Sequence, residues 1–144
     1  IVGYVGEQAV VEKRYSDNPR LSQLLVQADN TALYNDQEDE TRVVCTFPDE
    51  YGNRLYHHLE AGSVSVEGGI ELIGPSLIPS MGGCAAFWVR TCAGGTEGTA
   101  RIHIHTPRPE IADQTVTIRL ELSGSAGDGS CRNKAGNCFL KILD

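Results

Sequence analysis

Apolar and polar residues alternate along most of the chain. The segment 115–123 is the clearest case, because four aliphatic residues there alternate with Thr, Arg and Glu. A period of two puts the aliphatic side chains on one face of a β-strand and the polar ones on the other. Similar short patterns predict strands at 22–28, 41–47, 63–67, 71–73, 84–91, 99–106 and 138–143.

Turn-forming residues separate these patterns. The chain has 16 Gly and 6 Pro, and Gly-Gly, Gly-Pro or Asp/Asn-rich clusters stand between the strands. Strands spaced by roughly ten residues, each with one apolar face, are typical of two sheets packed face to face. The sequence therefore predicts an all-β, immunoglobulin-like β-sandwich of about 7–9 antiparallel strands.

The pattern also divides the chain into three parts. Residues 1–20 are predicted to be an N-terminal hairpin and linker that could be the end of a preceding module, since Asp17-Asn18-Pro19 interrupts the strands. Residues 21–123 are predicted to form the sandwich. Residues 124–144 are predicted to be a loop and a C-terminal strand extension.

The length and net charge of the chain limit the kinds of binding partner that we expect. A chain of 144 residues has the size of one domain. Its 12 Lys and Arg against 19 Asp and Glu give a net charge of −7. Nucleic acids and anionic membranes attract basic surfaces, so neither is an expected partner, and no apolar run is long enough to span a membrane.

The cellular compartment stays open at this stage. The chain starts at Ile1 rather than Met, which suggests a processed product or a piece of a longer protein, and a missing signal peptide therefore says nothing about the parent. Both a cytoplasmic and a secreted location remain compatible with the sequence.

No catalytic motif is present. The sequence lacks a Gly-x-Ser-x-Gly elbow, a Cys-x-x-Cys pair and a phosphate-binding glycine loop, and its acidic residues single out no pair of carboxylates. We therefore assign no catalytic residue and no cofactor.

Two histidines are the candidates for a metal site. His103 and His105 are two residues apart, so a strand places both on one face, where a third ligand from elsewhere would complete a site. The competing and favoured interpretation is an exposed polar strand face without a metal.

Three aromatic residues are the candidates for contacts with a carbohydrate. Trp88 should point outward if Phe87 and Val89 point inward, and Tyr51 and Tyr56 flank a turn. Contact with a neighbouring domain is the favoured interpretation of Trp88, a place in the core is the second, and contact with a sugar is the third.

The five cysteines cannot all pair within one chain. Cys131 and Cys138 close a short local loop and are the candidate disulfide, with two reduced thiols as the alternative.

Four motifs follow one another in a fixed order. They are an entry strand ending in Ala-Asp at 24–29; a strand at 39–44 with an Asp-x-x-Gly-Asn turn at 49–53; Val-Ser-Val-Glu-Gly at 64–68 with Leu-Ile-Gly-Pro at 72–75; and Gly-Gly-Cys-Ala-Ala-Phe-Trp-Val-Arg-Thr at 82–91 with Gly-Thr-Ala at 98–100. This set resembles a C-terminal immunoglobulin-like domain of bacterial glycoside hydrolase family 2 enzymes, the β-galactosidase group. Residues 3–12 resemble the last strands of the module that precedes it.

The resemblance implies an accessory domain. The catalytic glutamates of that family lie on a separate barrel domain, so the isolated chain is expected not to hydrolyse glycosides, whereas its parent would be a glycosidase. Neighbouring domains of the parent are then the expected partners. A carbohydrate-binding module and a cell-surface adhesin domain are the alternative functions.

Overall fold

The alternating segments form β-strands, as the pattern predicts. The computed structural model describes residues 1–124, and within this range the protein has strands and no helix. The strands are β1 (Val2–Val5), β2 (Gln8–Glu12), β3 (Leu25–Ala28), β4 (Ala32–Tyr34), β5 (Glu40–Thr46), β6 (Ala61–Glu67), β7 (Ile70–Ile73), β8 (Leu77–Pro79), β9 (Cys84–Thr91), β10 (Gly98–His105) and β11 (Gln114–Glu121).

Nine of these strands build the predicted sandwich. One sheet has the order β4-β11-β10-β6-β8, and the other has the order β3-β5-β9-β7. All neighbours are antiparallel except β4 and β11, which pair in parallel. The all-β prediction is therefore confirmed, with one parallel pair that it did not contain. The strands β4 and β8 were not predicted, because three residues are too few to show a period.

The apolar faces of both sheets meet in a single core. Its members share very low exposure and come from alternate positions, as the period of two requires. The four-stranded sheet contributes Val43, Cys45, Ile70, Phe87 and Val89, and the five-stranded sheet contributes Leu33, Val64, Ala100, Ile102, Ile104, Ile118 and Leu120. Burial raises the pKa of the Cys45 thiol to about 11, so this cysteine behaves as a small apolar core residue.

The amino-terminal hairpin is a separate two-stranded sheet. β1 pairs only with β2, and nearly every residue of both strands is exposed. The chain then runs through residues 13–24 before it enters β3. A lone hairpin is marginally stable in water, so this element has too few contacts of its own to be an independent domain.

The end of the chain lies outside the described residues. The predicted strand at 138–143, the extension at 124–144 beyond residue 124, and the candidate disulfide Cys131–Cys138 therefore stay predictions.

Candidate functional site

The outward face of the four-stranded sheet carries an aromatic and aliphatic surface, which we call the Trp88 face. Trp88 on β9 lies between Arg42 on β5 and Ile73 on β7 in the cross-strand register. Directly paired residues point to the same side of a sheet, so these three side chains are neighbours. Trp88 is 45% exposed and Ile73 is 42% exposed, while Phe87 and Val89 beside Trp88 are buried. The outward direction of Trp88 thus agrees with its strand position.

Aliphatic and charged residues extend and border this face. Ala86 pairs with Val44 along the same two strands, and Leu25 is exposed on β3. An ion pair joins Arg42 Nε to Asp29 Oδ2 at 3.0 Å, and a second joins Arg90 to Glu71. The Glu71 carboxylate hydrogen-bonds Arg90 and raises the pKa of its guanidinium. An apolar centre with a charged border is the composition of a protein contact surface.

Tyr51 and Tyr56 do not belong to the Trp88 face. Trp88 is paired with Arg42, and Tyr51 lies beyond the other end of β5, whose four-residue step from Arg42 to Thr46 alone spans about 13 Å. Tyr56 is exposed and packs against the guanidinium of Arg54, 4.7 Å from the ring centroid. The three aromatic candidates therefore do not combine into one platform.

The outward face of the five-stranded sheet is polar, and we call it the His103 face. His103 on β10 pairs with Ser65 on β6 and with Thr115 on β11. Two residues away, Arg101 pairs with Glu67 and Thr117. Hydroxyl and charged groups thus cover the strands on this side of the molecule.

His103 and His105 share this face, as their spacing requires, but they have different partners. His103 Nδ1 lies 3.1 Å from the Thr115 hydroxyl, and its Nε2 lies 3.5 Å from Glu67 Oε1. His105 Nδ1 lies 2.8 Å from Asp113 Oδ1. Within residues 1–124, no group of three His, Cys, Asp or Glu side chains is placed to hold a metal ion.

The buried carboxylate in the part of the chain described stabilises a turn. Asp49 is the buried acidic residue there, and its oxygens are occupied by the turn that it begins. Oδ1 accepts the N–H groups of Tyr51 and Asn53 at 2.9 and 2.7 Å, and Oδ2 accepts the Asn53 amide at 3.1 Å. Partial desolvation raises the pKa of Asp49, but these hydrogen bonds outweigh it and the pKa is lowered overall.

A partly buried polar cluster of His58, Glu60 and Arg108 at one end of the sandwich was not predicted from the sequence. His58 is buried and stacks on Phe47, with ring centroids 4.6 Å apart. Its Nε2 lies 3.7 Å from Glu60 Oε2, and the other oxygen of Glu60 binds Arg108. Arg108 lies 48 residues from Glu60 in sequence and the three residues carry no motif, so no sequence signal singles out the cluster. Its contacts join the ends of both sheets, which is a structural role.

The chain is similar in sequence to two known proteins. The chain is 35% identical over 81 residues to a β-galactosidase of Thermoanaerobacterium thermosulfurigenes, covering 56% of this chain and 11% of that protein. It is 31% identical over 89 residues to a β-galactosidase of Rhizobium radiobacter, covering 62% of this chain and 64% of that sequence. The chain therefore spans less than two thirds of either relative. No protein-family profile matches it.

A solved structure shares the fold. A glycosyl hydrolase family 2 member from Bacteroides cellulosilyticus superposes with a TM-score of 0.67 at 17% identity, over 83% of this chain and 17% of that protein. The chain is thus an immunoglobulin-like β-sandwich domain. It is similar in sequence to two β-galactosidases and in fold to part of a glycosyl hydrolase family 2 member, in agreement with the resemblance seen in the sequence motifs.

Proposed function

We propose that the chain is a non-catalytic accessory domain of a bacterial β-galactosidase-like enzyme of glycoside hydrolase family 2. It would follow the catalytic barrel in the parent chain and pack on neighbouring domains. The observation that supports this proposal most strongly is the Trp88 face. A half-exposed Trp88 beside the exposed Ile73 costs free energy in water, and this cost disappears if another protein surface covers them.

The amino-terminal hairpin supports the same proposal. Val5, Val10 and Val11 are exposed on a sheet of two strands, although such strands need further strands or a packed face for stability. We infer that residues 1–20 complete the sheet of a preceding module. The small share of the Thermoanaerobacterium relative that this chain covers fits a domain within a longer protein.

The test compares the two outward faces in the full-length parent enzyme. Replacing Trp88 and Ile73 by Ser should lower the temperature at which β-galactoside hydrolysis is lost, because the interdomain contact loses its apolar centre. The matched control replaces His103 and Thr117 by Ser on the polar face and should leave that temperature unchanged. Equal inactivation temperatures for the wild type and the Trp88/Ile73 variant would refute the proposed packing surface.

The isolated chain tests the non-catalytic assignment. It should release no chromophore from a chromogenic β-galactoside under conditions in which the parent enzyme is active. Turnover that survives purification and follows the chain through a sizing column would contradict the assignment.

A carbohydrate-binding role is the second candidate. Trp88 is half-exposed on the outward face of the sheet, next to Arg42, which forms an ion pair with Asp29. Aromatic stacking with adjacent hydrogen-bonding groups is a common way to hold a sugar ring. Binding of the isolated chain to a glycan array, abolished by Trp88→Ala and kept by Tyr56→Ala, would favour this role over domain packing.

A further inference from the structure

The turn Asp49–Asn53 contacts the linker between the hairpin and the sandwich. The Asn53 side-chain amide donates to the Arg14 carbonyl oxygen at 2.8 Å and also to Asp49 Oδ2. The Arg20 N–H donates to Glu50 Oε2 at 3.4 Å. The turn therefore binds the linker near both of its ends.

Ser22 adds two hydrogen bonds close to the contact between Arg20 and Glu50. The Ser22 hydroxyl donates to the Asp49 carbonyl oxygen at 2.9 Å, and the Ser22 N–H donates to the Pro48 carbonyl oxygen at 3.1 Å. A hydrogen bond from its own N–H and one from the Ser16 hydroxyl lower the pKa of Glu50. Three linker residues, Arg14, Arg20 and Ser22, thus form hydrogen bonds with this turn.

The turn is itself rigid enough to act as an anchor. Asp49 is buried and accepts three hydrogen bonds within the turn, and Gly52 has a φ of 80°, a conformation that favours glycine. Its position is set by the end of β5, where the Pro48–Arg54 bridge closes the loop. The anchor therefore belongs to the sandwich rather than to the hairpin.

The hairpin depends on this anchor for its direction. β1 and β2 pair with each other and with no strand of the sandwich. Between the hairpin and the turn lies a shallow open cleft, lined by Glu12, Lys13 and Arg14 on one side and by Tyr51, Gly52 and Asn53 on the other. The hairpin and the sandwich do not pack tightly across this cleft. The hydrogen bonds between the linker and the turn therefore determine the orientation of the hairpin.

We propose that the Asp49–Asn53 turn is a joint that binds residues 14–22 and sets the direction in which the amino-terminal hairpin leaves the sandwich. Asn53 is its central residue, because one side chain closes the turn and holds the linker at the same time. The segment that the turn binds is part of the same chain. The inference does not depend on the proposed enzyme, since every contact is within the chain.

Nuclear magnetic resonance of the chain tests the joint through backbone order and residual dipolar couplings. In the wild type, the hairpin and the sandwich should share one alignment tensor, with order parameters near 0.85 in the linker, the value of rigid backbone. Asn53→Ala should lower linker order parameters below about 0.6 and give the hairpin its own tensor. Glu50→Ala, which leaves the Asp49 hydrogen bonds of the turn in place, should cause a smaller change in the same direction.

The matched control is Asn18→Ala in the linker, which should keep the common tensor. Amide shifts of β10 and β11 report whether each variant retains the sandwich. If Asn53→Ala unfolds the chain, Glu50→Ala decides the outcome. Independent tensors in the wild type, or a common tensor in every folded variant, would overturn the proposal.

Discussion

The two outward faces of the sandwich differ although the strands beneath them are built alike. Both sheets bury alternate aliphatic residues in one core. On the other side, the Trp88 face presents Trp88, Ile73 and Leu25, whereas the His103 face presents hydroxyl, imidazole and charged groups. The inward-facing residues therefore form the core, and the difference between the two outward faces is the basis for our proposal that the four-stranded sheet packs on a neighbouring domain.

Removing a core side chain from either sheet should have the largest effect. Phe87→Ala in the four-stranded sheet should cost about 3–5 kcal/mol and Ile102→Ala in the other about 2–5 kcal/mol, because each leaves a cavity. Urea unfolding of the isolated chain measures both. A loss below about 1 kcal/mol for either variant would mean that its sheet does not share the common core.

The next effect concerns a polar group that ties the sheets together. Asn35 is 1% exposed at the end of β4, and its side chain donates to the Thr96 carbonyl oxygen at 2.8 Å and accepts from the Gly94 N–H. Asn35→Ala should lower the free energy of unfolding by about 1–3 kcal/mol, because these buried groups lose their partner. The exposed Asn30→Ala is the control. Equal stability of the two variants would contradict the role of Asn35.

A pH effect should come from His58. Desolvation lowers its pKa below 6.5, although the charge of Glu60 raises it, and Arg108 lowers it further. The unfolded chain therefore binds this proton more readily, so the contribution of His58 to stability is greatest above pH 6.5 and falls as the pH decreases toward the folded pKa.

Urea unfolding between pH 7.5 and 5.5 measures this dependence. His58→Gln should flatten the decrease in the free energy of unfolding, and His57→Gln at the exposed neighbouring position serves as the control. A decrease that is equally steep in the His58 variant would contradict the assignment.

The smallest effect should separate the two faces directly. In the isolated chain, replacing Trp88 and Ile73 by Ser should reduce the fluorescence of a bound hydrophobic dye by about twofold, because an exposed apolar patch is removed. His103→Ser combined with Thr117→Ser should leave the signal unchanged. Equal signals from both double variants would show that the faces do not differ as binding surfaces.

Several features were predictable because they are local. The alternation at 84–91 predicted a buried Phe87 and an outward Trp88, and the strand at 99–106 placed His103 and His105 on one outward face. The Asp-x-x-Gly-Asn pattern predicted the turn at 49–53. Each of these depends on residues within a few positions of one another.

Other features were not predictable because they join distant segments. β4 becomes a strand by pairing with β11, and Asn35 is buried by contact with residues about sixty positions away. The His58, Glu60 and Arg108 cluster forms only where the segment before β6 meets the loop after β10. The contact between Asn53 and Arg14 likewise spans 39 positions.

The order of apolar and polar residues by itself determined that this protein is a β-sandwich and which side chains of each main strand point inward, because strand geometry has a period of two. Only the tertiary structure decided which strands are neighbours, which outward residues form one surface, and which turn holds the linker. These depend on long-range pairing, whose register is set when the two sheets bury their faces against each other.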